Sequence, residues 1–168
     1  MKNRLKKIII TGGPGSGKTT IINRLKKMGY RIIPESANIM IGMYKIKPSA
    51  YRQRKIQENQ IFLENLIQEE SGIFFLDQGL IDIDVYNRLN KCKSVDKKII
   101  YKSEYYNKVF VLDNLNKKYY PDNREESYTL SKKINKKIIQ EYNNYGFEII
   151  KVKKETINNR VKFIINNI

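Results

Sequence analysis

Apolar residues fall along the chain in two rhythms, short unbroken runs and longer stretches in which they return every three or four positions. The runs predict strands at 5–11, rich in isoleucine and ended by glycines, at 30–34, at 72–76 (GIFFL), at 108–112 (KVFVL) and at 147–152. A run without polar alternation is the pattern of a strand covered on both faces. Between them, 18–28 predicts a helix with Ile21, Ile22 and Leu25 on one face and Gly29 as its stop. An irregular stretch is expected at 40–48. A long helix is expected at 51–70, with Ile56, Ile61, Phe62, Leu66 and Ile67 as its apolar positions. A helix is expected to begin near Ile81, 127–145 predicts another ended by Gly146, and Thr156 caps a last one with the face Ile157, Val161, Ile164 and Ile165. The resulting order, β-α-β-α-β-α-β-α-β-α, is an α/β fold of about five parallel strands with helices on both faces, hence three layers.

With 168 residues, the chain has the size of one ordinary domain, so 1–168 is expected to form a single unit with its own core. Hydrophobic residues at 40% and charged residues at 30% exclude a disordered chain. Cys92 is the one cysteine and histidine is absent. An internal disulfide, a Ser-His or Cys-His nucleophile pair and an imidazole metal site are therefore excluded. The apolar stretch at 8–10 is far shorter than a signal or spanning segment, and the expected location is cytoplasmic.

Lys+Arg 33 against Asp+Glu 17 leaves a net charge of +16. An excess of that size can be a footprint for nucleic acid or an anionic membrane. Here, however, doublets such as Lys6-Lys7, Lys26-Lys27 and Lys153-Lys154 are scattered over nearly every element, often at expected solvent faces, and only Lys132 to Lys137 form a dense helical patch. That dispersal favours neither partner.

Candidate chemistry is concentrated at Gly12-Gly13-Pro14-Gly15-Ser16-Gly17-Lys18-Thr19, followed by Thr20, which satisfies the Walker A pattern G-x-x-x-x-G-K-[ST] between a predicted strand and a predicted helix. Glycines let backbone N–H groups turn inward as a nest for phosphate, and the helix aims its positive end at the same anion. Lys18 is expected to reach the β- and γ-phosphates of a nucleoside triphosphate, and the Thr19 hydroxyl to join the coordination of Mg²⁺. A second metal-side oxygen is expected from a carboxylate at the end of a neighbouring buried strand. Asp77, after GIFFL, fits that place. Glu35, in PES after the second strand, is a candidate for orienting an acceptor hydroxyl, a task that falls to carboxylates without histidine, or else a solvated loop glutamate. Asp82, five positions after Asp77, is placed near the acceptor together with Gln78, its alternative role being a helix N-terminal acid.

Together GGPGSGKTT, a strand ending PE, the segment LDQGLID and a polar stretch before the 127–145 helix resemble small P-loop ATPase/kinase-like proteins labelled AAA-type ATPase domain. They are similar to nicotinamide-riboside kinase and nucleoside or nucleotide kinase domains. The resemblance covers nearly the whole chain and implies a P-loop NTPase fold with a kinase-like lid at about 114–127. It implies an ATP- and Mg²⁺-dependent phosphotransferase acting on an unknown small-molecule acceptor that is nucleoside-, nucleotide- or vitamin-like. Catalytic residues carry over as Lys18, Asp77, Glu35 as the acceptor-site acid, and Arg124 of PDNREES as the lid arginine, with an exposed arginine of no role as the competing view of Arg124. The family often reads Asp-Arg-Gly where this chain has Asp77-Gln78-Gly79, which replaces a cation beside the acceptor by a neutral amide. An alternative from the same resemblance is a regulatory ATP- or GTP-binding module with slow NTPase activity, contacting anionic lipid or nucleic acid. The guanine motif N-K-x-D is incomplete in Asn116-Lys117-Lys118-Tyr119. Ring assembly is not implied; a monomer or homodimer is expected.

Overall fold

The structure, a computed structural model, describes residues 5–47, 49–68, 70–102, 106–120 and 126–168. Strands β1 (Leu5–Thr11), β2 (Arg31–Ile33), β3 (Gly72–Asp77), β4 (Tyr106–Leu112) and β5 (Ile149–Val152) form one parallel sheet in the order β2-β3-β1-β4-β5. The helices are α1 (Lys18–Lys27), α2 (Ser36–Tyr44), α3 (Ala50–Leu66), α4 (Leu80–Leu89), α5 (Lys97–Lys102), α6 (Tyr128–Asn144) and α7 (Ile157–Asn166). Side chains alternate across a strand, so the isoleucines of β1 divide between two cores. Ile8 and Ile10 pack with Phe75, Phe110 and the α1 and α7 residues Ile21, Leu25, Val161 and Ile164. Ile9 faces the opposite core of α4 and α6, with Ile81, Ile134, Ile138 and Tyr142. The three-layer α/β expectation is met. No helix among the described residues is long and apolar enough to cross a membrane.

Strands fall where their apolar runs lie, shifted by a residue or two at the ends. The departures are in the helices. Of the stretch expected to be irregular at 40–48, 45–47 is irregular, but 40–44 belongs to α2, whose apolar residues crowd all sides of a short helix and give no one-sided period. Two helices, not one, join β2 to β3, and α5 joins α4 to β4 without having been expected. In α3 and its C-cap the expected apolar positions hold only in part: Ile56 and Ile67 are buried and Ile61 packs against the core, but Phe62 and Leu66 do not. Phe62 and Leu66 are 57% and 60% exposed, whereas Arg52, Gln53, Gln60 and Glu64 are buried with Ile56. Lys7, expected on a solvent face with Lys6, is 1% exposed and paired with Glu64 at 3.5 Å.

The α1/α7 core rests on Phe75, fully buried and in edge contact with Tyr30 at 5.2 Å between centroids. Phe75→Ala is expected to lower stability by about 3–5 kcal/mol through lost transfer energy and a residual cavity. Urea unfolding of the two proteins measures the difference.

Candidate active site

Parallel pairing sets Ile10 of β1 opposite Asp77 of β3 and Thr11 opposite Val111 of β4. The loop 12–17 thus leaves the sheet at its carboxyl edge, between two strands, which is where open α/β sheets hold ligands. Lys18 begins α1, and its Nζ donates to the carbonyl oxygens of Gly12 (2.7 Å) and Gly13 (3.3 Å), curling the loop around the ammonium. Outer elements brace the same loop. Asn135 Oδ1 accepts from Gly13 N–H at 3.0 Å, and Ser131 Oγ donates to Pro14 O at 2.7 Å, both from α6. A Cβ on Gly13 would stand 2.5 Å from the Ser131 carbonyl oxygen, so this approach needs glycine. From α7, Arg160 donates to Ser16 O at 2.9 Å; burial lowers its pKa.

A cleft of 810 Å³ opens in front of the loop. Pro14, Gly15, Gly17, Lys18, Thr19 and Thr20 form one wall. The opposite wall comes from Glu35 and Asn38 of the α2 entry, Arg52 and Gln53 of α3, and Gln78. Gly12, Gly13 and Ser16 lie behind it, buried. Leu115, Tyr119 and Glu126, from the described ends of the expected lid, close one side. Those ends are tied together: Tyr120 OH donates to Glu126 O at 2.8 Å and Tyr128 OH to Leu115 O at 3.2 Å. Lys117 and Lys118 are exposed in a single 3₁₀ turn outside the lining. Arg124 lies outside the described residues. Thr20 also borders a second cleft, of 650 Å³, running along α1 past Asn23, Arg24 and Lys27 to the start of α7 at Thr156.

Glu35 stands half-buried at the N-cap of α2, not at the end of β2, and accepts from Asn38 Nδ2 at 2.8 Å. Gln78 is buried in the left-handed backbone region, φ 72°, and its N–H extends the sheet by donating to Ile10 O at 3.1 Å. Asp77 is 4% exposed, and its Oδ1 has no hydrogen-bond partner among the described residues. Burial pushes its carboxyl up to about 7, Glu35 adds to the rise, and Lys18 opposes it. Thr19 lines the cleft and Asp77 lies just behind the lining, next to Gln78; an orphaned carboxylate oxygen and the Thr19 hydroxyl are hard-oxygen donors of the kind Mg²⁺ takes, with phosphate and water completing the shell. No group of three or more His, Cys, Asp or Glu among the described residues could hold a metal unaided.

Of the two roles expected for Asp82, the structure supports the helix N-terminal acid, in the first turn of α4 and accepting from the N-cap Gly79, and not the acceptor contact. It is 0% exposed, absent from the cleft lining, and enclosed by donors: the Thr11 hydroxyl, Gly79 N–H at 2.8 Å and Tyr142 OH at 2.6 Å. Sequence reading also passed over Arg52, Gln53, Ser131, Asn135 and Arg160. The signal for α3 was present, since Arg52, Gln53, Ile56, Gln60 and Glu64 return at helical spacing, but an amphipathic reading counts only apolar positions. Arg160 likewise falls within the apolar stripe of Val161 and Ile164.

The family model described as AAA domain matches residues 7–160. Comparison with curated proteins gives no match. Among solved structures, NadR protein in complex with NR is similar with a TM-score of 0.73 at 16% identity; the match covers 96% of this chain and 50% of that one, so this chain spans half of NadR's length. Deoxyadenosine kinase from M. mycoides, with products dcmp and a flexible dcdp bound, gives 0.63 at 21% identity over 96% and 97% of the two chains. Thymidylate kinase from Candida albicans gives 0.60 at 15% identity over 99% and 91%. At such identities the likeness is one of fold.

The state of Asp77 has a measurable sign. Between about pH 4 and about pH 7 the folded protein keeps a proton on Asp77 that the unfolded chain has released, so stability falls as pH rises through that window. Asp77→Asn is expected to remove this share, on the order of a few kcal/mol, and to flatten the loss between about pH 4 and about pH 7. Thermal unfolding without nucleotide or Mg²⁺ measures it; equal slopes in the two proteins would contradict the assignment.

Proposed function

Because the chain belongs to the AAA domain family and has the fold of small P-loop kinases related to nucleoside and nucleotide kinases, we propose that it is an ATP- and Mg²⁺-dependent phosphotransferase acting on a small nucleoside-, nucleotide- or vitamin-like acceptor. The observation that carries the reading is the single cleft that joins the phosphate loop to Glu35 and Gln78. The amides of the loop and Lys18 bind the phosphate chain, and the nucleoside extends past Thr20 into the cleft along α1. Thr19 and Asp77 would hold Mg²⁺, which would supply neutralisation of charge on the phosphate chain. Glu35 accepts a hydrogen bond from the acceptor hydroxyl and takes its proton, while Gln78 and Asn38 offer neutral hydrogen bonds beside it. Arg124, carried by the lid, supplies the planar donor that closes over the phosphates. Catalysis then comes chiefly from positioning and fixed charge.

The neutral Gln78 supports a second reading, a regulatory ATP- or GTP-binding module with slow hydrolysis, since an acceptor-side cation is missing at that position. One series separates the two. ATP consumption is followed against panels of nucleosides, nucleoside monophosphates and vitamin-like alcohols, and acceptor-dependent turnover is the expected result. Acceptor-independent slow hydrolysis gives the second reading. Lys18→Ala is expected to abolish ATP binding, and unaltered affinity would remove the loop assignment. Glu35→Gln is expected to keep ATP affinity and lose turnover by about 10²- to 10⁴-fold; unchanged turnover would take Glu35 out of the mechanism.

A further inference from the structure

Beneath the cleft runs a set of buried polar groups that the proposed mechanism does not use. It starts at Ser36, the neighbour of Glu35. Ser36 Oγ donates to Gln60 Oε1 at 2.7 Å, and Gln60 Nε2 donates to Glu64 Oε1 at 2.9 Å. The same carboxylate oxygen accepts from Tyr106 OH at 2.8 Å, and that hydroxyl accepts from Leu80 N–H at 3.0 Å. The preceding amide, Gly79 N–H, is held by Asp82, whose other oxygen accepts from the Thr11 hydroxyl. Thr11 Oγ1 in turn accepts from Gly12 N–H at 2.6 Å, where the phosphate loop begins. Leu80 and Gly79 are adjacent in the chain, so the path is unbroken from the acceptor side of the cleft to the loop.

From this geometry we infer that Glu64, Tyr106 and Asp82 are positioning residues, joints of a spine that fixes the spacing between Glu35, the Gln78 turn and the phosphate loop; the catalytic part of this inference rests on the phosphotransferase reading. The path touches the site at three places, each one residue from a group assigned to the reaction: Ser36 beside Glu35, Gly79 beside Gln78, and Gly12 in the loop itself. Hydrogen bonds fix distance and angle where apolar contacts allow sliding. Burial makes the bonds demanding, since Glu64 is 3% and Asp82 0% exposed and losing a partner there costs a full desolvation. Gly79 shows how closely the parts fit. A Cβ on it would lie 2.9 Å from Tyr106 Oη and 3.0 Å from Ile9 Cδ1. Nucleotide seated on the loop therefore stiffens the entry of α2 through the spine, and displacement of the Gln78 turn misaligns the acceptor.

The test compares wild type with Tyr106→Phe, which removes one oxygen and leaves the ring beside Phe147, and with Thr11→Val against Thr11→Ser, which breaks or keeps the hydroxyl link. ADP with Mg²⁺ is the probe, and backbone amide exchange of residues 36–41 is the readout. In wild type and Thr11→Ser, ADP is expected to slow that exchange; in Tyr106→Phe and Thr11→Val it is expected to slow exchange only at the loop, with ADP affinity held within about threefold. Against an accepted phosphoryl acceptor, Tyr106→Phe is expected to lower kcat by about tenfold or more with little change in the KM for ATP. Exchange at 36–41 that ignores ADP in wild type, or that answers it equally in Thr11→Val and Thr11→Ser, overturns the spine. So does an unaltered kcat in Tyr106→Phe. A wild type that binds ADP yet phosphorylates no acceptor removes the phosphotransferase reading, while the exchange comparison still decides the spine.

Discussion

Opposite Ile10 in the ladder between β1 and β3 stands Asp77, and the rest of the site hangs on that pairing. Parallel strands end on the same edge, so the loop that starts at Gly12 and the turn that starts at Gln78 leave the sheet side by side. The bond from Gln78 N–H to Ile10 O carries the ladder one step further, with Gln78 in a left-handed conformation that costs a side chain about 1–2 kcal/mol. The ladder bond and the grip of Asp82 on Gly79 offset that strain. A slip of one residue would exchange the two cores, since Ile8 and Ile10 belong to one and Ile9 to the other. The carboxylate's place beside the loop is thus fixed by the packing of both faces of the sheet.

A net charge of +16 is spread unevenly in kind as well as in place. Four cations are buried among the described residues, Lys7, Lys18, Arg52 and Arg160; Lys7 meets Glu64, Lys18 the loop carbonyls and Arg160 the Ser16 carbonyl oxygen. Burial pushes Lys7 down and Glu64 up, and their mutual attraction works against both shifts. Exposed lysines are a separate population. On α6, Lys132, Lys133, Lys136 and Lys137 face solvent, while Ser131 and Asn135 of the same helix touch the loop. The helix therefore serves the site through its uncharged polar side.

Strands and the phosphate loop were legible in the sequence because their signals are local. An unbroken apolar run between turn residues describes a buried strand without knowledge of its neighbours, and GGPGSGKTT prescribes its own strand–loop–helix setting. What escaped was set by partners distant in sequence. Glu64 is buried because Lys7, 57 residues away, and Tyr106, 42 away, reach it. Lys7 looked like one half of a surface doublet because nothing within β1 marks its partner. The exposed Phe62 and Leu66 misled for the same reason: the period of α3 was right for a helix, but which side faces inward was decided by polar groups that pair across the fold. Asp82 is the sharpest case, an acid in the first turn of α4 that the sequence placed near the acceptor and the fold turned inward.

Without histidine, acid–base and metal-side tasks in this protein fall to carboxylates, and the structure sorts them by how completely their oxygens are engaged. Asp77 and Asp82 are separated by five positions in LDQGLID, and burial raises the pKa of both. Asp82 meets hydrogen-bond donors at both oxygens, so it cannot take up a metal or move without breaking the bonds that hold Thr11, Gly79 and Tyr142. Glu64 is held through one oxygen, which accepts from Gln60 and Tyr106, while its other oxygen has only the ion pair with Lys7 at 3.5 Å. Asp77 Oδ1 and Glu64 Oε2 are both buried without a hydrogen-bond partner among the described residues, but Glu64 Oε2 lies 3.5 Å from the Lys7 ammonium, away from the cleft, whereas Asp77 stands beside Lys18 at the phosphate loop. Glu35, half-buried at the start of α2, stands where the helix dipole favours its charge. Asp82, with donors at both oxygens, sets distances, and Asp77, with an oxygen left over beside the loop, is the one placed to bind; that contrast follows from hydrogen-bond accounting.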